Sequence, residues 1–295
     1  MNAPIISIEG LSKYYGKARG IKEVNLQVNE GEVFGFIGPN GAGKSTTIRI
    51  LLNLIFPGSG SAKIMDMDVS VDHQTIMQRV GYVPSDANAY TGLKVSDFLL
   101  YCSKFYQTGP DEKRISELAD WFELDLNRYI SELSFGNRKK VSIIQSLIHR
   151  PKLLMLDEPT TGLDPLMQAK FFEILQVESR KGMTVFFSSH LLNEVQKICK
   201  KVAIIKEGRI IGVEEIETLR KKQLKKIMIE FTESSDTKEF RMRGYENNLE
   251  TSENSISFMF SGDINELTKM LSEKRLNYLT IEEPTLEEIF MHYYN

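Results

Sequence analysis

Cysteine is scarce in this 295-residue chain: Cys102 and Cys199 are too few for a disulfide framework or a cysteine metal site. That scarcity suits a reducing compartment. No run of 18 apolar residues occurs, and the densest stretch, 48–56, is short and carries Arg49 and Asn53. The beginning, MNAPIISIEG, lacks a basic segment followed by an apolar stretch and a small-residue cleavage site. The chain is therefore expected neither to span a membrane nor to be exported. A basic excess is missing too. Lys and Arg number 37 against 40 Asp and Glu, a net charge of -3, so nucleic acid is not an expected partner. With 41% hydrophobic and 26% charged residues, the chain can bury a core large enough for an α/β domain with an accessory.

Periodicity divides the chain. Short strands are expected at 5–9 and 21–28, then a buried apolar strand at 33–37. Ile48, Leu51, Leu52 and Ile55 follow helical spacing up to the breaker Pro57-Gly58-Ser59-Gly60. Residues 95–148 turn helical, with Gly109-Pro110 as an internal break. Buried strands are expected at 153–156 and 183–187, with a helix between them, a helix at 191–200 and a hairpin at 202–213. Past the basic stretch RKKQLKK, alternation at Ile227, Ile229, Phe231 and at Ile256, Phe258, Phe260 marks a small α+β unit ending in a helix at 286–293. A boundary is predicted near residue 220, giving domains 1–220 and 221–295.

Two motifs carry chemistry. Gly38-Pro39-Asn40-Gly41-Ala42-Gly43-Lys44-Ser45-Thr46 fits the phosphate-binding loop, with an apolar strand before it and an amphipathic helix after it. Glycines let backbone N–H groups turn inward around phosphate oxygens, and the helix N-terminus favours the anion. Lys44 would reach the outer phosphates and Ser45 would ligate Mg²⁺. About 113 residues beyond Lys44, the strand Leu153–Leu156 ends in Asp157 and Glu158. Asp157 would hold Mg²⁺ through water, and Glu158 would polarise the attacking water.

With Leu133-Ser134-Phe135-Gly136-Asn137, LLMLDEPTTGLD at 153–164 and Ser188-Ser189-His190, these motifs stand in the order and spacing of ATP-binding cassette (ABC) ATPases. The chain resembles that family over residues 5 to about 220. The resemblance implies a RecA-like α/β P-loop core with an antiparallel β region, a helical subdomain over about 90–145 and a small C-terminal α+β unit. It implies ATP and Mg²⁺ as cofactors. It assigns Tyr15 to stacking on adenine, with Tyr14 as the rival. Ser134 and Gly136 would form an anion site for the γ-phosphate of ATP on another subunit, and Asp164 would belong to a loop at the dimer interface. His190 would hydrogen-bond the γ-phosphate, while His73, His149 and His292 are read as structural. The family places a Gln, or in some drug exporters a Glu, after the strand Val80–Val83; here Ser85 and Asp86 stand there, and Asp86 is the candidate metal contact or a turn residue.

The end EEPTLEEIFMHYY and the length resemble ATPase subunits of drug and peptide exporters of the bacitracin-resistance type. The resemblance implies a homodimer or heterodimer of ATPase subunits on the cytoplasmic face of a membrane, held there by a separate transmembrane permease. Phe98, Leu99, Cys102, Phe105 and Tyr106 would either receive that permease or form core. The alternatives are a soluble ABC ATPase acting on ribosome or DNA, and a weakly hydrolysing regulatory subunit. Roughly 90 residues between Lys44 and Ser134 in a single cassette favour transport.

Overall fold

The computed structural model describes residues 4–16, 18–86, 92–221, 225–233, 250–282, 284 and 288. The chain divides into two compact units, 1–214 and 215–295, a few residues before the change of composition near 220.

The first unit contains two sheets. One is antiparallel, ordered β2-β1-β4-β5, from β1 (Pro4–Tyr15), β2 (Ala18–Asn29), β4 (Ser59–Ile64) and β5 (Met67–Asp68). The other has six strands in the order β10-β9-β3-β8-β7-β6. These are β3 (Val33–Ile37), β6 (Val80–Val83), β7 (Leu153–Asp157), β8 (Thr184–Ser189), β9 (Lys201–Lys206) and β10 (Arg209–Glu215). Strands β6, β7, β8, β3 and β9 run parallel. Parallel strands covered on both faces read as unbroken apolar runs, which is why VFGFI and TVFFSS show no alternation. Phe186 joins the core with its ring centroid 6.1 Å from Phe34 and 5.3 Å from Phe36.

Helices α1 (Lys44–Leu51), α2 (His73–Met77), α6 (Pro165–Arg180) and α7 (Leu192–Ile198) belong to the same unit. The helical segment comprises α3 (Val95–Ser103), α4 (Glu112–Trp121) and α5 (Phe135–Leu147), with Gly109-Pro110 breaking the chain between the first two. A buried ion pair, Arg114–Glu178 at 2.8 Å, ties α4 to α6. Here the partner-facing expectation is corrected in part. Phe98, Leu99 and Cys102 are 4%, 0% and 8% exposed, because this face of α3 packs on α4 and α5. The outer face carries Phe105 and Tyr101 instead, in edge-to-face contact with centroids 5.1 Å apart.

The second unit has α8 (Ile216–Lys221) and an antiparallel sheet ordered β12-β13-β11-β14. Its strands are β11 (Lys225–Phe231), β12 (Glu250–Thr251), β13 (Ser255–Phe260) and β14 (Leu276–Glu282). Alternation sends Ile227, Ile229, Phe231, Ile256, Phe258 and Phe260 into one core, closed by Leu267 and Leu271 of α9 (Ile264–Leu271). The helix expected at 286–293 lies outside the described residues apart from Glu288.

Candidate functional site

The chemistry-bearing residues gather at the carboxyl ends of adjacent parallel strands, where open α/β sheets form their ligand crevice. Strand β3 runs into the phosphate loop, β7 into Asp157 and Glu158, β8 into Ser189 and His190, and β6 into Pro84, Ser85 and Asp86. The loop is held from outside the motif, since the Gly208 N–H donates to the Ala42 carbonyl at 2.9 Å. At Gly38 an added Cβ would come 2.2 Å from the Ile205 carbonyl oxygen. Gly43, at φ +112°, combines a left-handed backbone with a 2.6 Å clash against Ile21 for any side chain. Both glycines are therefore demanded by close approach. The cavity above this loop, about 280 Å³, is lined by Tyr15, Gly20, Asn40, Gly41, Gly43, Lys44, Ser45, Thr46 and Glu158.

Lys44 is buried at 5% exposure, and its Nζ donates to the carbonyls of Gly38 at 2.7 Å and Pro39 at 3.2 Å. The same ammonium lies 3.3 Å from Glu158 Oε1, while His190 Nδ1 lies 3.3 Å from Glu158 Oε2. One carboxylate thus occupies the two groups best suited to an outer phosphate. Glu158 sits at φ +48°, a left-handed conformation uncommon for a non-glycine residue. Its N–H faces the Ser188 carbonyl at 3.2 Å and the Ser188 hydroxyl at 3.3 Å.

Three further residues support the site, and two of them, Glu194 and Lys139, belong to no motif. Ser188 donates its hydroxyl to Asp157 Oδ1 at 2.9 Å. Glu194, buried on α7, accepts from Thr160 Oγ1 at 2.6 Å and from Ser189 Oγ at 2.7 Å, bracing the segments that carry Glu158 and His190. Lys139 on α5 is fully buried and donates to the carbonyls of Pro84, Ser85 and Glu158 at 2.7, 3.0 and 3.4 Å. Burial pushes its ammonium down to about 8, against the pull of Asp157, Asp86 and Glu158. A lysine and a glutamate inside helices read as solvated surface, so only their burial gives them away.

Tyr15 rather than Tyr14 lines the cavity, with its hydroxyl 3.5 Å from Thr46 Oγ1 and Lys13 Nζ 5.8 Å from its ring centroid. Ser134 caps α5, accepting from the Asn137 N–H at 3.3 Å. Gly136 approaches so closely that an added Cβ would lie 2.8 Å from the Gly162 carbonyl oxygen. Asp164 caps α6 by accepting from the Met167 N–H at 3.0 Å. Ser134, Gly136 and Asp164 are not among the residues lining the phosphate-loop cavity. Asp86 is exposed beside Lys139 and is likewise absent from the lining. His149 is buried, stacked on Tyr106 with centroids 3.6 Å apart, and burial pushes its imidazole down to about 4; it stays neutral and structural.

Magnesium takes a few protein oxygens together with waters and phosphate oxygens, and the donors here fit that pattern. Asp157 is fully buried and its Oδ2 has no hydrogen-bond partner, while the half-buried Ser45 stands on the cavity wall. Among the described residues no cluster of three or more His, Cys, Asp or Glu forms an all-protein cage.

Comparison with known proteins gives the family. The ABC transporter family model matches residues 21–161. An uncharacterized ABC transporter ATP-binding protein of Bacillus subtilis, YdbJ, is 36% identical over 213 residues, covering 71% of this chain and 69% of its own. The bacitracin transport ATP-binding protein BcrA of Bacillus licheniformis is 29% identical over 97% of this chain and 96% of its own. Among solved structures, an ATP-binding subunit of an ABC transporter superposes with a TM-score of 0.69 at 28% identity, covering 74% of this chain and 92% of that one. The RecA-like α/β fold expected from the motifs is the fold of these proteins. Loop, carboxylates and relatives converge on one conclusion: the chain belongs to the ATP-binding proteins of ABC transporters and is an ATPase.

Proposed function

We propose that this ATPase powers export of a drug- or peptide-like molecule through a separate membrane permease, and that Glu158 is the general base of hydrolysis. The observation that carries the catalytic part is the meeting of Lys44, Glu158 and His190 over the phosphate loop, each contact at 3.3 Å. Lys44 and the loop N–H groups would hold the phosphates, Tyr15 would stack on the base, and Ser45 and Asp157 would hold Mg²⁺. Bound Mg²⁺ would neutralise charge on the β- and γ-phosphates. ATP entry requires the Glu158 carboxylate to leave Lys44, which frees it to accept a proton from water, while His190 turns to the γ-phosphate.

Ser134, Gly136 and Asp164 then serve a second nucleotide in a head-to-tail dimer of ATPase subunits. Their separation from the phosphate-loop cavity supports that assignment. Among the described residues no helix is long and apolar enough to cross a membrane, which supports a partner that does. Similarity to the bacitracin protein along nearly the whole chain supports the exporter class and a place on the cytoplasmic face of the membrane.

The test is Glu158→Gln in the full chain. The amide keeps the shape but cannot take the proton, so turnover should fall roughly 10²–10⁴-fold while ATP binding persists. Size-exclusion chromatography should then report an ATP-dependent dimer. Near-parental hydrolysis by this variant would remove Glu158 from the role of base.

A further inference from the structure

We propose that Lys139 is a positioning residue for ATP hydrolysis: one buried ammonium clamps the loop after β6 and the backbone of Glu158 to the helix that begins at Ser134. The inference rests on the reading of Glu158 as the base.

Lys139 lies on the second turn of α5, and its side chain is fully buried in the first unit. A lysine ammonium has three N–H donors and no acceptor. Here three carbonyls face it, from two chain segments that are far apart in sequence: Pro84 at 2.7 Å, Ser85 at 3.0 Å and Glu158 at 3.4 Å. Among the described residues no carboxylate pairs with it within 4 Å, while Asp157, Asp86 and Glu158 attract it from further off. The groups it touches are the three carbonyls.

The Glu158 carbonyl is the longest of the three contacts and also meets the Thr161 N–H at 3.4 Å. On the other side of the residue, its N–H is held by Ser188. Glu158 is therefore gripped at both ends while sitting at φ +48°, a conformation that persists only when its surroundings over-determine it. That backbone setting aims the carboxylate at Lys44 and His190. The loop sharing the ammonium, Pro84–Ser85, occupies the stretch where the resemblance expects a Gln and this chain has none. A side chain missing from the loop is thus accompanied by a lysine on α5 that grips the loop's backbone. Displacement of either the loop or α5 reaches Glu158 through one group.

The experiment compares Lys139→Met with Lys139→Gln in the purified full chain, measuring kcat and KM for MgATP and the melting temperature. Methionine fills a similar volume with no donor. Its kcat should fall about tenfold or more, with KM within about threefold of parental, because the clamp acts on the base and not on ATP. Glutamine keeps two N–H donors and no charge, and its kcat should return to within about threefold of parental. A folded Lys139→Met chain turning over within threefold of parental overturns the proposal. Equal depression of kcat in both folded variants also overturns it, since packing or charge would then be the cause. If Lys139→Met does not fold, Lys139→Gln carries the test: near-parental kcat supports the clamp, and a tenfold loss or failure to fold overturns it. Glu158→Gln run in parallel separates the two ideas. Normal hydrolysis there defeats the assigned base, whereas an inactive Glu158→Gln beside an active Lys139→Met defeats only the clamp.

Discussion

The two compact units are built on opposite terms. The first buries charge: Lys44, Lys139, Asp157, Glu194 and the pair Arg114–Glu178 all lie inside it. Among the described residues of the second unit, every buried side chain is apolar. Burying an ionised group costs several kcal/mol unless hydrogen bonds and partners offset it. A fold carries that cost where chemistry requires a dry, fixed charge. In the first unit Lys44, Lys139, Asp157 and Glu194 cluster at the carboxyl ends of the parallel strands, around Glu158. The second unit buries an apolar core under a sheet closed by α9.

The contrast is sharpest at Lys44. Replacing Lys44 by Ala should weaken ATP binding about 10- to 100-fold, the equivalent of a lost charged hydrogen bond of roughly 1.5–3 kcal/mol. Equilibrium titration with a fluorescent ATP analogue measures it. An affinity within twofold of parental would mean that the phosphates are held by backbone N–H groups without the ammonium.

Glu194 tests whether the buried charges form one working assembly. Its carboxylate accepts from Thr160 and Ser189, on the segments that carry Glu158 and His190. Glu194→Gln leaves one of those hydroxyls facing an amide N–H₂. We expect turnover to fall about tenfold, as for other supporting contacts behind an active group, with little change in ATP affinity. A stability loss without any change in kcat would place Glu194 with Arg114–Glu178 as a fold-holding group.

How much of this was legible in the sequence follows from the same contrast. The phosphate loop and Asp157-Glu158 were readable because their chemistry dictates residue type at fixed spacing. The second unit was readable because alternation at Ile227–Phe231 and Ile256–Phe260 is the direct imprint of one buried face. Lys139 and Glu194 were not, since helical lysine and glutamate carry no pattern until tertiary packing buries them. Phe98, Leu99 and Cys102 were open between core and partner contact for a related reason: periodicity locates an apolar face but not what covers it. Tyr14 and Tyr15 were separable only when strand geometry turned one of them to the cavity.

Asp86, in the first unit, is exposed but electrically close to Lys139. If it serves the metal, Asp86→Ala should lower turnover by about tenfold, and Ser85→Ala should be mild. The Ser85 backbone carbonyl, already engaged by Lys139, is unaffected by that side-chain change. Equal and small effects from both variants, read by steady-state ATPase assay, would leave Asp86 as a turn residue.

The smallest effect on the ATP site should come from the heaviest blow to the second unit. Phe258 is 1% exposed, sits opposite Ile227 in the sheet and meets Phe260 edge-on with centroids 6.4 Å apart. Phe258→Ala removes most of an aromatic side chain from an apolar core, a change that costs about 3–5 kcal/mol in comparable sites. ATP at roughly 100 times its dissociation constant should stabilise only the unit that binds it, by about 2.7 kcal/mol. Calorimetry of the full chain therefore has two separable handles: ATP raises the transition of the first unit, and Phe258→Ala lowers that of the second. ATP affinity in the variant should stay within about twofold of parental, because every phosphate-binding residue precedes position 214. A tenfold loss of affinity, or an ATP-induced rise in both transitions, would show that the apolar unit shares in nucleotide binding and would break the division drawn between the two.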